Sequence, residues 1–417
     1  MGRLFSLILP FILLFLLYFG FNLYGINTRY VATGLLVVAI VVIPTALSSF
    51  TQKFKAYGNR RIIKSLILYT IVAALITLFH ATIDMNVTST SFRLLVFYID
   101  CLLLSCLISK DNPTSLIQLL LWIFVAQSFV ILAAFISPSI LEFVRRFQYE
   151  DIMIIADRYL DYGTFRGLAL SGDQFHGLTV AYGFVSIIAI KEYVDSKNIK
   201  WILMFLLFFV ANMFVGRTGF VGFALALVYL IWSSGKNVIG NIIKISVIVI
   251  GAILVVYQFL PLSIKSTLDD SVFRYAFQLF YNYQESGRME TSTTDRVQEM
   301  WREGFTLKTF LVGDGLFVNN DGSYYRHVDV GYLRQLFYGG VFFLIYSILL
   351  VWRMLVGYAK KIKLTKCKLE IIIWVYLLVV HTKGLDFMSA AEPMLIVFIY
   401  YIHQYINKPR LQICVKA

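Results

Sequence analysis

An all-α polytopic membrane protein, with about twelve transmembrane helices and two large external loops, is the fold this sequence predicts. Three observations carry that expectation. The chain has 417 residues, of which 59% are hydrophobic and only 15% charged. Its mean hydropathy is +0.76. A soluble domain cannot solvate that much apolar surface. Long uninterrupted runs such as LILPFILLFLLYFGFNLYG and ISVIVIGAILVVYQFLPL favour helices over the alternating strands of a barrel.

Taken in order, apolar runs of spanning length fall at 4–24, 31–50, 66–83, 94–109, 116–136, 176–190, 201–215, 220–234, 245–264, 330–355, 369–387 and 389–406. The first is read as a spanning helix rather than a signal peptide, being too long and lacking a clear small-residue cleavage site. Short basic segments stay cytoplasmic. TQKFKAYGNRRIIK, KEYVDSKNIK, KKIKLTKCK and the tail KPRLQICVKA all fall on one side when twelve crossings are counted, which places both termini in the cytoplasm. The net charge of +13 is therefore read as a topology signal, and no nucleic-acid partner is expected.

Two connections are long, 137–175 and 265–329, and both lie outside within a single membrane domain spanning 1–417. Each contains apolar residues at helical spacing: Leu141, Val144, Ile152, Ile155 and Tyr159 in the first, and Val272, Phe273, Ala276, Phe277 and Phe280 in the second. That pattern predicts short interfacial helices. Long structured loops on a rigid scaffold are common seats of function. The four cysteines, Cys101, Cys106, Cys367 and Cys414, lie in a helix or on the cytoplasmic side, so no disulfide framework is expected outside. No Cys/His cluster has metal-ligand spacing, and no metal or cofactor is expected.

The basic residues divide by species. On the predicted topology thirteen arginines but only three lysines, Lys265, Lys308 and Lys383, are external. Lys serves as a hydrated topology charge, whereas Arg offers a planar fork suited to phosphate or carboxylate. The external face therefore reads as an anion-binding surface.

Four external stretches concentrate ionisable residues: FRGLALSGDQFHGLTVAYG with Arg166, Asp173 and His176; VGRTGFVG with Arg217; TTDRVQEMWREGF with Arg296 and Arg302; and FLVGDGLF followed by YYRHVDVGYLRQLFYGG with Arg326, His327, Asp329 and Arg334. This ensemble resembles the bacterial O-antigen polymerases of the Wzy type and, more distantly, the O-antigen ligases. The resemblance covers the whole chain in architecture and four short segments in motif. Polymerases of this kind carry Arg-x10-Gly in each large periplasmic loop, a spacing matched here by Arg166 to Gly177 and by Arg302 to Gly313. Many relatives have His-Asn where this chain has His327-Val328-Asp329.

The resemblance implies a metal-independent, GT-C-like glycosyltransferase of the bacterial inner membrane with its active site facing the periplasm. It would transfer a growing glycan from undecaprenyl diphosphate to a repeat unit on the same lipid. The partners implied are the two undecaprenyl-diphosphate-linked glycans and membrane lipid, with a chain-length regulator protein as an optional further partner. A departing diphosphate needs preorganised cations, and Arg166, Arg217 and Arg296 are expected to converge on it, with Arg302 and Arg326 next. The acceptor hydroxyl needs a base. His327 is the candidate, oriented or replaced by Asp329, which alternatively caps the next helix. His176 is a substitute from the first loop. The alternatives are an O-antigen ligase and a lipid-linked oligosaccharide flippase, the latter expected to keep its cations inside the bundle and its loops short.

Overall fold

The computed structural model describes residues 2–108, 115–161, 167, 169–172, 175–234, 240, 257–258, 262–288, 292–357, 367–384 and 387–407. About 80% of the described residues are helical. Among the described residues, five helices are long and apolar enough to cross a membrane: Gly58–Phe79, Asn86–Leu107, Leu116–Ile136, Phe175–Ser196 and Gly331–Val356. A bent pair, Thr28–Val42 with Pro44–Lys55, supplies a sixth if counted as one span. Leu7–Phe19, Lys200–Val215 and Phe220–Ser233 are apolar but shorter.

In chain order the helices are α1 (Gly2–Phe19), α2 (Thr28–Val42), α3 (Pro44–Lys55), α4 (Tyr57–Phe79), α5 (Asn86–Leu107), α6 (Leu116–Ile136), α7 (Pro138–Arg145), α8 (Glu150–Asp161), α9 (Phe175–Ser196), α10 (Lys200–Val215) and α11 (Phe220–Ser234). There follow α12 (Leu262–Thr267), which continues through a π turn, α13 (Gln278–Ser286), α14 (Ser292–Trp301), α15 (Leu307–Val312), α16 (Gly331–Val356), α17 (Lys368–Val380) and α18 (Ala391–Tyr401). The strands among the described residues are two-residue segments, Asn22–Leu23 and Ile26–Asn27. Most of the run expected at 245–264 lies outside the described residues.

One expected span is broken. The run 31–50 divides at Ile43, and α2 and α3 diverge by 107°. Pro44 is the cause: it lacks an N–H and sits at the first turn of α3, while the preceding Ile43 is forced extended at φ −101°, ψ 101°. The first loop likewise holds two helices, α7 and α8, with Val144 and Ile152 buried and Phe143 and Ile154 exposed.

The chain separates into two compact units. Unit 1 comprises Met1–Gly20, Ile26–Ile123 and Ser292–Ala417. Here α5 packs against α2, α3, α4 and α18, and α15 lies along α16. Arg29 is not an anion receptor in this unit. Its guanidinium donates to the carbonyls of Leu17 (3.2 Å) and Tyr18 (2.9 Å), satisfying the C-terminal end of α1, and lies 3.8 Å from Glu392.

Unit 2 comprises Phe21–Gly25 and Phe124–Thr291, with α9 buried against α10 and α11. The α9–α11 approach is made by small residues. A Cβ on Gly222 would press into the Gly183 backbone, and one on Gly219 into the Thr179 carbonyl. Those glycines in VGRTGFVG thus serve helix packing.

Candidate functional site

The ionisable cluster of unit 1 is built on a helix that does not run straight through. At Gly340 the backbone of α16 turns to φ 72°, ψ −176°. A break in a helix orphans the carbonyls of the turn before it. Here the orphans are taken by the VGDG segment: Asp314 N–H donates to the Phe337 carbonyl (2.5 Å) and Gly315 N–H to the Tyr338 carbonyl (3.0 Å). Close backbone approach requires glycine on both sides. Gly313 is at φ +78°, where a Cβ would enter the Tyr338 carbonyl, and a Cβ on Gly340 would enter the Leu311 carbonyl. The motifs VGDG and YGG are two halves of one joint.

From that joint the chain rises into a short hairpin. Val318 and Tyr324 form an isolated antiparallel bridge. Asn319 N–H donates to Ser323 O (2.8 Å), and Tyr325 N–H to Phe317 O (3.2 Å). Asp321 closes the turn by accepting from the Ser323 N–H (2.9 Å) and hydroxyl (2.6 Å). The turn between α4 and α5 braces this hairpin. The Asp84 carboxylate accepts from Phe317 N–H (2.6 Å) and Val318 N–H (2.8 Å), and Thr82 donates to Gly315 O (2.8 Å).

The next residues carry the candidate chemistry. Arg326 and His327 are consecutive left-handed residues, at φ 55° and φ 57°. Non-glycine residues in that region cost about 1–3 kcal/mol each and persist only where the surroundings enforce them. The enforcement on Arg326 is explicit. It donates to Gly304 O (2.8 Å) and to Asp314 (3.1 Å), lies 3.9 Å from Glu303, and covers the ring of Phe337 at 4.8 Å. Partial burial opposes its charge, yet the Tyr325 hydroxyl, Asp314 and Glu303 hold the guanidinium above its ordinary value. Arg326 therefore ties the 302–306 segment to the VGDG joint, and its charge is already compensated within the protein.

His327 is exposed and Asp329 half-buried. Among the described residues no hydrogen bond or ion pair joins these two side chains. Asp329 does not cap the following helix: the N-cap of α16 is Val330, with no side-chain cap bond. Instead its N–H meets Met300 Sδ at 3.1 Å, and the flanking Val328 and Val330 are buried with Met300, Leu333, Leu336 and Phe337. The imidazole thus stands in solvent on a backbone fixed from below.

Arg296 and Arg302 are exposed on and just after α14, with no ion pair to a described residue. Arg217 and His176 belong to unit 2. Arg217 donates to Gln278 Oε1 (2.5 Å) and stacks over Tyr275 at 4.7 Å. His176 is half-buried in the first turn of α9. Arg166 and Asp173, and with them the upstream end of the first Arg-x10-Gly spacing, lie outside the described residues.

Two polar residues to which the sequence reading gave no individual role are central to its geometry. One is Asp84, in an apolar stretch that reads as a mere loop between spans. The other is Arg334, buried to 7% exposure between the rings of Phe317 (4.0 Å) and Tyr324 (3.7 Å). A buried charge is costly unless it is compensated, so a carboxylate beside a span and an arginine inside a helical run were the available signals. His381 is a core residue, edge-on to Tyr332 (4.7 Å) and Phe387 (4.8 Å), and its carbonyl accepts from Gly331 N–H (3.1 Å). Among the described residues no three His, Cys, Asp or Glu side chains are grouped to hold a metal. No protein-family model, no curated protein and no solved structure matches this chain.

Proposed function

We propose that this protein is a membrane glycosyltransferase that polymerises surface-polysaccharide repeat units, extending glycans carried on undecaprenyl diphosphate. In this reading the chain crosses the bacterial inner membrane about twelve times, keeps both termini in the cytoplasm and works at the periplasmic face.

The observation that carries the proposal is the exposed imidazole of His327, without a side-chain hydrogen bond among the described residues and held on a strained and heavily braced backbone at the end of a helix of spanning length. Strain of this kind is characteristic of functional positions. A hydroxyl group of the acceptor sugar attacks the anomeric carbon of the donor glycan, and His327 removes the hydroxyl proton as the new C–O bond forms. The bond from that carbon to the lipid diphosphate breaks, and the diphosphate departs with the electron pair. Imidazole is the commonest side chain for such a proton transfer. Arg296 and Arg302, exposed and without ion pairs among the described residues, are the cations of unit 1 left for the departing diphosphate. Asp329, near in sequence and half-buried, serves to orient the base or takes its place.

Disruption of the gene tests the proposal. Loss of a polymerase leaves surface glycan carrying a single repeat unit. Loss of a ligase or flippase leaves no such glycan on the surface, and that phenotype would contradict the reading.

A further inference from the structure

A carboxylate withdrawn from water must have its oxygens bonded. Asp84 is 8% exposed, and both of its oxygens are used. Oδ1 accepts from Asn86 N–H (3.0 Å) and Asn86 Nδ2 (2.8 Å), which fixes the carboxylate on the first turn of α5. Oδ2 accepts from the N–H groups of Phe317 and Val318, which fixes the first arm of the hairpin to that carboxylate. The grip is therefore made by main chain on one side and by a spanning-length helix pair on the other.

Arg334 grips the same hairpin from α16. Its guanidinium lies between Phe317 of the first arm and Tyr324 of the second, close enough to both rings for cation–π contact on each face. Stacking leaves only the edges of the fork free, and Nε is buried with no hydrogen-bond partner among the described residues. Asp84 and Asp329 lie within electrostatic reach of it. Two opposite charges, one from the α4–α5 turn and one from α16, thus hold one small turn.

The consequence reaches the candidate base through one bond. His327 N–H donates to the carbonyl of Tyr324 (2.7 Å), the ring-bearing residue that Arg334 holds. Any shift of Tyr324 is passed to His327 through a tight turn in which Arg326 and His327 are already left-handed.

We infer that Asp84 and Arg334 are positioning residues that clamp the 317–327 hairpin and so place His327 against its substrate. The inference rests on the glycosyltransferase reading above. Lys in place of Arg334 keeps the charge but cannot present two planar faces. Asn in place of Asp84 turns a donor toward one of the N–H groups it should accept.

The test uses the full-length chain, purified in detergent micelles for hydrogen exchange and returned in parallel to a strain lacking the gene for glycan analysis. Arg334→Lys and Asp84→Asn are expected to accelerate exchange across 317–327 by about tenfold or more, while α4 and α5 exchange as in wild type. Both variants are expected to lose long glycan chains. Because a change at buried Arg334 can impair folding, Tyr324→Leu removes one face of the clamp from the hairpin side, and the same two effects are expected. Tyr324→Phe keeps the ring but loses the hydroxyl contact with Arg334, and should restore both readouts part of the way toward wild type. Unchanged exchange in Arg334→Lys and Tyr324→Leu would overturn the clamp. Faster exchange with full-length glycan would show that hairpin position does not govern the reaction, and would overturn the positioning role. Failure of the wild-type gene to restore chains would instead sink the glycosyltransferase reading, with the exchange data still deciding whether the clamp exists.

Discussion

His327 and Arg326 share a strained turn but divide its work. Arg326 is spent on Asp314, Glu303 and Gly304, so its role is to hold the turn. His327 has no such commitment among the described residues. His327→Ala should therefore abolish polymer with normal protein level, since loss of a general base costs about 10²–10⁴-fold in rate. His327→Asn should fare no better, because an amide hydrogen-bonds but does not take up the proton. Asp329→Asn separates the two assignments. Partial chain length is expected if Asp329 only orients the base, and a dead variant beside an active His327→Ala would transfer the role to the carboxylate. At Arg217 the structure supplies its own reason why charge alone is insufficient. Lys loses both the bond to Gln278 and the stack on Tyr275. Arg217→Lys should shorten glycan chains nearly as much as Arg217→Ala. Normal ladders from the Lys variant would show that only charge matters there.

At the scale of elements, the break in α16 and the hairpin above it make two further predictions. Gly340→Ala places a side chain at φ +72° against the Leu311 carbonyl. It should lower stability by about 1–3 kcal/mol, read as a fall in the thermal midpoint of the purified protein. In the hairpin turn, Asp321 is held below the usual carboxylate range, first by the Ser323 hydroxyl and then by the Ser323 N–H, with His327 adding to the effect. A depressed carboxylate contributes local stability that is present above its unfolded value, about 4, and is lost as pH falls through the folded value. Exchange at the Ser323 amide, corrected for its intrinsic rate, should therefore speed up below that pH. A flat profile would remove Asp321 from the turn.

The elements most legible in the sequence are those governed by hydrophobic runs alone. The expected spans 116–136, 201–215, 220–234 and 330–355 lie within a residue of α6, α10, α11 and α16. Pro44 was legible too, but an uninterrupted apolar run outweighed it, and the chain bends there by 107°. The break at Gly340 was hidden because a glycine pair inside a span reads as a packing surface. Only a partner segment 27 positions upstream, with its own glycine at Gly313, reveals the joint. For the site, residue type announced His327 and the arginines, whereas a carboxylate beside a span was the one signal of Asp84 and its partners stayed hidden, being backbone N–H groups 233 and 234 positions away.

For the whole molecule, the arginine excess expected on the external face acquires a second meaning. Arg29 closes α1, Arg145 pairs with Asp157 at 2.6 Å, Arg274 with Glu285 at 3.0 Å, and Arg326 with Asp314. Guanidinium is suited to such multidentate structural bonds as well as to phosphate. A surface made of Arg is thus partly a fastening system for loops that carry no disulfides, and fewer of its charges are left for substrate. Of the unit 1 candidates, Arg296 and Arg302 are the ones whose charge is not compensated by an ion pair to a described residue. Double substitution of these two by Ala should weaken use of the lipid-linked donor while leaving the thermal midpoint near wild type. A variant with unchanged donor use would move diphosphate binding to other residues.

The most direct measurement of the central claim is reconstitution. The purified full-length protein is placed in liposomes with an undecaprenyl-diphosphate-linked repeat unit as the only glycan, and the products are resolved by size. The account predicts a ladder of glycans differing by one repeat unit, release of one undecaprenyl diphosphate for each new glycosidic bond, and loss of both with His327→Ala. Movement of the lipid-linked unit across the bilayer with no new glycosidic bond would contradict it.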